Sequence, residues 1–316
     1  MRTVYLETLS TIQEPCVGTI GFFDGVHQGH LYLIRRLVDE AHVMGLSSCV
    51  ITFDRHPRQV LQSDYCPQLL TTFEEKIHLL AQTAIDLCVV LPFSKDLASY
   101  SAHDFMELIL KERLMVRKLY IGYDHRFGHN RSECFEDYVR YGNELGMEVV
   151  QSDGYRGALS YPISSTAIRN HLLQGDIQGA TVLLGRPYSL SGKVVDGVHE
   201  GRKLGFPTAN LSVESQEKLI PSPGVYAVRV HWDEDGGVYP GMMNIGTRPT
   251  FGAHTQTLEV HVLQYSGNLY GRLVTVEFLQ RLREEQRFEH VGALRDQLKA
   301  DAQQVMDYFS QEKYYD

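Results

Sequence analysis

Two histidines three residues apart, His27 and His30, stand among three glycines, Gly21, Gly25 and Gly29. At the start of a helix, imidazoles at that spacing can face one anion, and glycine lets the backbone close on it. That suits binding a phosphate and stabilising charge that builds on it. Paired histidines can also hold zinc, but no third ligand stands at a fitting spacing. A second anion-binding set is Ser164, Ser165, Thr166 and Arg169, where hydroxyls, free helical N–H groups and a guanidinium come together. By itself that segment is also an ordinary helix cap. A third set, Gly122 to Arg131, mixes glycines with His125, Arg126 and Arg131, and reads either as a phosphate site or as a basic solvated loop. Glu259 lies between Leu258 and Val260, in the middle of a strand pattern. A carboxylate there either faces solvent or serves as a general base.

These residues need a frame. Pro15 to Ile20 is short and apolar, a buried strand. Leu33, Ile34, Leu37, Val38 and Ala41 recur at helical spacing, so a helix is predicted over Gln28 to Met44, ended by Gly45. Cys49 to Phe53 is the next strand. A strand, a glycine loop, a helix and a parallel strand form one βαβ unit, whose ligands sit beyond the strand's carboxyl end. The alternation continues. Arg58 to Leu70 reads as a loop, and Thr72 with Glu75 opens a helix running to Ala84 with Phe73, Ile77 and Leu80 on one face. Asp86 to Phe93 is a strand, His103 to Met115 a helix, Lys118 to Gly122 a strand, Phe135 to Leu145 a helix and Met147 to Gln151 a strand. About five strands alternating with helices predict a doubly wound parallel sheet. A further helix would start at Ser164 or Ser165 and bury Ile168, Leu172 and Leu173.

After Leu183 to Tyr188 the pattern changes. Alternating runs at Leu190 to Val195, Val225 to Val230, Leu258 to Leu263 and Leu273 to Phe278, with one late helix over Val291 to Phe309, predict a small antiparallel barrel. The fold class is therefore α/β plus β, in two domains, 1–183 and 184–316. A chain of 316 residues fits that count. The formal charge of -9 argues against a nonspecific nucleic-acid binder, but not against small phosphorylated ligands. No apolar run is long enough to span a bilayer and no signal-peptide pattern is read, so no membrane partner is expected. Five cysteines without a CxxC pair suit a reducing cytoplasm. A monomer or weak homo-oligomer is expected.

Gly21-Phe22-Phe23-Asp24-Gly25-Val26-His27-Gln28-Gly29-His30 resembles the HxGH motif of the nucleotidylyltransferase superfamily. Its flanks resemble more specifically the bacterial bifunctional riboflavin kinase/FAD synthetases. Ile163 to Arg169 is similar to the superfamily's triphosphate-binding segment. Phe53 to Pro57 matches the family's stretch lining the nucleotide cleft. Asp124, Arg126, Phe127 and Gly128 keep the family's pattern on the flavin side, with His125 where Phe is common and Cys134 near a usual glycine. In the second half, Gly205-Phe206-Pro207-Thr208-Ala209-Asn210 is similar to the kinase module's GxPTAN segment. Pro223 to Ala227, Asn244 to Thr250, Leu258 to His261, Tyr270-Gly271 and Arg283 to Phe288 follow in the module's order.

The resemblance implies a Rossmann-like first domain that makes FAD from FMN and ATP, and a barrel that makes FMN from riboflavin and ATP. In the first, Gly21, Phe22, Asp24, Gly25, Gly29, Ser164, Ser165 and Thr166 would bind nucleotide, with His27, His30 and Arg169 stabilising charge. Asp124, Arg126 and Phe127 would contact flavin. In the second, Thr208 and Asn210 would hold Mg²⁺, Gly201 and Lys203 would belong to a loop covering the phosphates, and Glu259 would be the base. Arg283 and Phe288 would lie on the flavin side. No Walker A sequence occurs, so the kinase site would be of another kind. Two rivals are a nucleotidylyltransferase for another phosphate, such as phosphopantetheine or a sugar-alcohol phosphate, and a flavin sensor with an inactive kinase half. The barrel half argues against the first, and Thr208, Asn210 and Glu259 together argue against the second.

Overall fold

The structure, a computed structural model, describes residues 1–6, 11–62, 64–123, 125–155, 157, 163–197, 201, 204–232, 236–250 and 253–312, with 248–250, 253–255 and 312 described by backbone alone. Asp124 and Lys203 lie outside the described residues. The chain divides into two compact units, Met1–Ser165 and Thr166–Asp316.

The first unit is built on a parallel sheet of β1 (Arg2–Tyr5), β2 (Cys16–Ile20), β3 (Ser47–Phe53), β4 (Leu87–Leu91), β5 (Val116–Ile121) and β6 (Glu148–Gln151). The spatial order is β1-β4-β3-β2-β5-β6. All five residues of β2 and of β4 are buried, as expected for strands covered on both faces. One core cluster forms around Ile20, Ile51 and Leu119, and another around Val17, Val50 and Val90. Strand order reverses between β2 and β5, so the loops leaving these two strands open side by side. They carry the glycine-histidine stretch and the Gly122 to Arg131 stretch.

Helix α1 (Gln28–Met44) buries Leu33, Ile34, Leu37, Val38 and Ala41 and ends at Gly45 with φ 64°, as expected. Four expectations need correction. A sixth strand, β1, was not expected; it is short and only half-buried, so it has no apolar run. The stretch Arg58 to Leu70 is not all loop, because α2 (Pro57–Leu61) enters it behind a His56 cap, and α3 (Phe73–Ala81) ends before Ala84. The helix expected over His103 to Met115 is mostly a π-helix, Phe105–Lys111. Its wide turn carries i to i+5 bonds such as Glu112 N–H to Glu107 O at 3.0 Å, and it buries Phe105, Met106, Ile109 and Leu110 together.

The second unit begins in helix Ser165–Gln174, continues through Ile177–Leu184, and then closes a barrel. Ile168 and Leu172 are buried, but Leu173 is 44 % exposed. One residue past the i, i+4 line turns its side chain off the stripe. The barrel order is β10-β11-β8-β7-β12-β9, all neighbours antiparallel. The strands are β7 (Tyr188–Val195), β8 (Ala209–Ser212), β9 (Gly224–His231), β10 (Val238–Thr250), β11 (Ala253–Val262) and β12 (Leu273–Arg283). Strands β8 and β10 add to the four expected runs. The former is four residues long and the latter is interrupted by prolines and glycines, which hides its alternation. The final helix, Val291–Glu312, sets Val305 against Ala227 and Met242 of the barrel.

Candidate functional site

The loop after β2 is strained. Phe23 (φ 55°) and Val26 (φ 37°) both sit in the left-handed region that a side chain disfavours, a branched one most. The surroundings hold them there. The Asp24 carboxylate accepts from Leu70 N–H at 2.9 Å, Thr71 N–H at 3.1 Å and the Thr71 hydroxyl at 3.3 Å. Gly25 N–H donates to Thr71 Oγ1 at 3.1 Å. Asp24 is only 4 % exposed, so its carboxylate braces the loop from within. His27 caps α1, its Nδ1 accepting from His30 N–H at 3.3 Å. That bond leaves Nε2 to carry the proton. The two imidazoles stack, 3.6 Å between centroids and 16° between planes. A Cβ on Gly29 would come within 3.2 Å of the His27 ring, and one on Gly21 within 3.1 Å of the Phe23 ring. Phe22 is half-buried.

Ser165 joins this loop, its hydroxyl donating to the Asp24 carbonyl at 2.9 Å. Ser164 is half-buried and Thr166 exposed; Arg169, half-buried, stands farther along the same helix in the second unit.

A cavity of about 430 Å³ lies on the loop after β5. Phe53, Phe93, Phe105 and Phe127 give it an aromatic wall, and Arg58 and Arg126 also line it. A planar aromatic molecule bearing an anion fits that lining. Phe127 is held in place at both ends of its peptide, because the Tyr138 hydroxyl accepts from its N–H and donates to its carbonyl, both at 2.9 Å. His125 lines the same cavity. Phe93, Phe105 and Arg58 were not anticipated, since they come from two other connections, Arg58 from the one between β3 and β4 and the two phenylalanines from the one between β4 and β5. The signal available was their place just after strands β4 and β3 and before β5.

On the barrel, register brings the chemistry together. Glu259 of β11 pairs with Asn210 of β8 on one side and Asn244 of β10 on the other. The Thr208 hydroxyl points to Glu259 Oε2 at 3.5 Å. Two cavities open here. One, about 320 Å³, is lined by Gly201, Thr208, Glu259, His261, Arg283 and Phe288. The other, about 430 Å³, is lined by Thr208, Ala209, Tyr265, Asn268 and Tyr270. Thr208 therefore lines both. The Gly201 carbonyl accepts from Leu204 N–H at 3.0 Å and Phe206 N–H at 2.9 Å, and a Cβ there would strike the Phe206 carbonyl. His261 donates from Nδ1 to the Pro207 carbonyl at 2.7 Å, and burial pushes its pKa down.

Thr208 and Asn210 offer neutral oxygens, and among the described residues no group of three His, Cys, Asp or Glu could hold a metal. A site with few protein oxygens suits Mg²⁺ held chiefly by substrate phosphates and water. The donor set fits that ion.

Arg283 serves the fold as well as the cavity. Its Nε and Nη2 donate to the Asp301 carboxylate at 3.0 and 2.8 Å, and its guanidinium lies 5.7 Å from the Phe288 ring. Asp301 is 1 % exposed. Replacing Arg283 by Met would leave a buried carboxylate without its cation, an expected loss of about 3 kcal/mol. Thermal unfolding followed by circular dichroism checks this, and an unchanged melting temperature would contradict it.

Residues 9–167 match the family described as FAD synthetase, and residues 184–309 the family described as riboflavin kinase. Among curated proteins, the bifunctional riboflavin kinase/FMN adenylyltransferase of Escherichia coli K12 is 37 % identical over 298 residues, covering 94 % of each chain. The one from Pseudomonas fluorescens is 39 % identical over 306 residues, again 94 % of each. The one from Bacillus subtilis is 32 % identical over 323 residues, 98 % of this chain and 99 % of that one. A crystal structure described as a macrolide-efflux protein from Streptococcus pneumoniae superposes with a TM-score of 0.87 at 30 % identity, covering 96 % of this chain and 98 % of that one. No helix among the described residues is long and apolar enough to cross a membrane.

Proposed function

The chain belongs to the bifunctional riboflavin kinase/FMN adenylyltransferase family, and we propose that residues 1–183 carry the adenylyltransferase and residues 184–316 the kinase. The protein phosphorylates riboflavin with ATP to give FMN, then transfers AMP from a second ATP to FMN, releasing FAD and pyrophosphate.

The observation that carries the kinase assignment is Thr208, which lines two cavities and reaches toward Glu259 in one of them. ATP occupies the Tyr265 to Tyr270 side, and riboflavin the Glu259 side, which Gly201, Arg283 and Phe288 also line. Glu259 takes the proton of the ribityl 5′-hydroxyl as that oxygen attacks the γ-phosphorus, and ADP leaves. Thr208 and Asn210 would hold Mg²⁺, which neutralises charge on the ATP phosphates when bound.

In the first domain, ATP lies along Gly21 to His30 and the Ser164 to Arg169 segment. The FMN phosphate attacks the α-phosphorus in line, and pyrophosphate departs without a covalent protein intermediate. His27, through Nε2–H, and His30 and Arg169 face the charge that develops on the transferring and leaving phosphates. The FMN ring enters the aromatic cavity at Phe127, with Arg126 on its polar side. Five free thiols support a cytoplasmic setting.

The test is to incubate the protein with riboflavin, ATP and Mg²⁺ and to separate the flavins by chromatography. FMN should rise first and FAD follow with pyrophosphate. Riboflavin left unconsumed, or FMN that never becomes FAD, would overturn one half of the assignment.

A further inference from the structure

A buried lysine that the proposed mechanism does not use sits directly behind the glycine-histidine loop. Lys76, on α3, is 2 % exposed. Its Nζ donates to the Phe22 carbonyl at 3.2 Å, to Thr52 Oγ1 at 3.2 Å and to the Phe53 carbonyl at 2.9 Å. The first acceptor belongs to the loop after β2, and the others to the carboxyl end of β3. An ammonium has three N–H donors, and here they meet three oxygens. The same charge lies 4.2 Å from the Phe22 ring and 5.4 Å from the Phe73 ring. Burying a lysine is costly, and an apolar side chain at this position would avoid the cost. What the ammonium supplies instead is a tie between two loops that both open on the nucleotide side of the sheet.

We propose that the Lys76 ammonium is a positioning residue for adenylyl transfer, clamping the loop of His27 and His30 to the end of β3, so that loss of its proton slackens the loop and slows FAD formation alone. The proposal rests on the assignment of that loop to the adenylyltransferase. Losing the proton leaves two N–H groups for three acceptors and turns a lone pair toward a carbonyl oxygen. The phenylalanine faces also lose the cation they attract.

Burial pushes the Lys76 pKa down to about 8, and Asp24, Cys88 and Asp54 push against that shift without cancelling it. Asp24 faces it from the loop and Asp54 from the end of β3. The Cys88 thiol of β4, raised by burial to about 11, stays neutral through this range. On α3 itself, Glu75 is engaged with Thr72 N–H at 2.9 Å. His56 lies edge-on to the Phe22 ring at 4.8 Å.

The experiment compares the full chain with Lys76→Met and Lys76→Arg from about pH 6.5 to about pH 9.5, measuring FMN adenylylation and riboflavin phosphorylation separately. Wild-type adenylylation should fall as pH passes about 8, while phosphorylation shows no matching fall. Lys76→Met should lose about 30-fold or more in adenylylation, lack that alkaline limb, and phosphorylate riboflavin normally. Lys76→Arg, which keeps its proton throughout, should stay active without the limb. Adenylylation by Lys76→Met within about threefold of wild type, or a limb that persists in it, would overturn the proposal. Should Lys76→Met lose cooperative melting, the Lys76→Arg profile decides, and a limb at the wild-type position refutes Lys76 as its source. Wild-type protein that makes no FAD at any pH would instead refute the adenylyltransferase assignment.

Discussion

Glu259→Gln should lower riboflavin phosphorylation by about 10⁴-fold while leaving adenylylation of supplied FMN unchanged, because a neutral amide cannot take the ribityl proton. Glutamine keeps the length and shape of the side chain. It can still receive the Thr208 hydroxyl, now 3.5 Å away, on its amide oxygen. The backbone pairing of residue 259 with Asn210 and Asn244 does not involve the side chain, so the barrel should keep its register. The change therefore removes basicity and little else. Measured with the full chain, the loss should fall on kcat, with the KM for ATP nearly constant, since the cavity proposed for ATP opens on the other side of Thr208. The check is a chromatographic time course with riboflavin as substrate, paired with one that starts from FMN. Riboflavin turnover near the wild-type rate would rule out Glu259 as the base.

How much of this was legible beforehand depends on how local each signal is. The loop of His27 and His30 could be located because its flanks are a wholly buried strand and a clean apolar stripe, Leu33 to Ala41, both readable from neighbouring residues. Asp24 could not be resolved the same way. It sits in a ligand-binding stretch, yet its carboxylate is satisfied by Leu70 and Thr71, and only the folded chain brings those together. Arg283 is similar: the resemblance of Arg283 to Phe288 to the kinase module suggests flavin, while its strongest partner, Asp301, lies on the final helix. Lys76 did leave a trace. It falls between Phe73, Ile77 and Leu80 at i+3 and i+4 spacing, squarely in the apolar stripe of α3. A charged residue in that register is a buried charge awaiting partners.

The barrel tested a different limit. Its chemistry was placed by the Pro207 to Asn210 segment and by Glu259, but two of its strands had no alternation to read. The pairing of Glu259 with Asn210 depends on β8, one of those two strands. Residue types alone could suggest that a carboxylate and a pair of neutral oxygens act together. Only strand order makes them neighbours.

The complementary prediction concerns the other domain. His30→Ala should cut FAD formation by about 10³-fold while riboflavin phosphorylation continues at its normal rate. His30 is the better choice than His27 for separating chemistry from folding. His27 caps α1 with its own ring, so replacing it would remove a cap worth about 1 kcal/mol along with any catalytic group. The bond that His30 gives to that cap comes from its backbone N–H, which alanine retains. What alanine removes is a ring stacked at 3.6 Å on His27 and set edge-on to Phe23 at 5.1 Å. The helix should keep its start and the strained turn its brace at Asp24, so the melting temperature should move little. The readout is pyrophosphate release with FMN and ATP, beside FMN formation from riboflavin in the same preparation. If both activities fell together in a folded variant, the two reactions would share a site. If pyrophosphate release survived intact, the imidazole of His30 would have no part in stabilising the transferring phosphate.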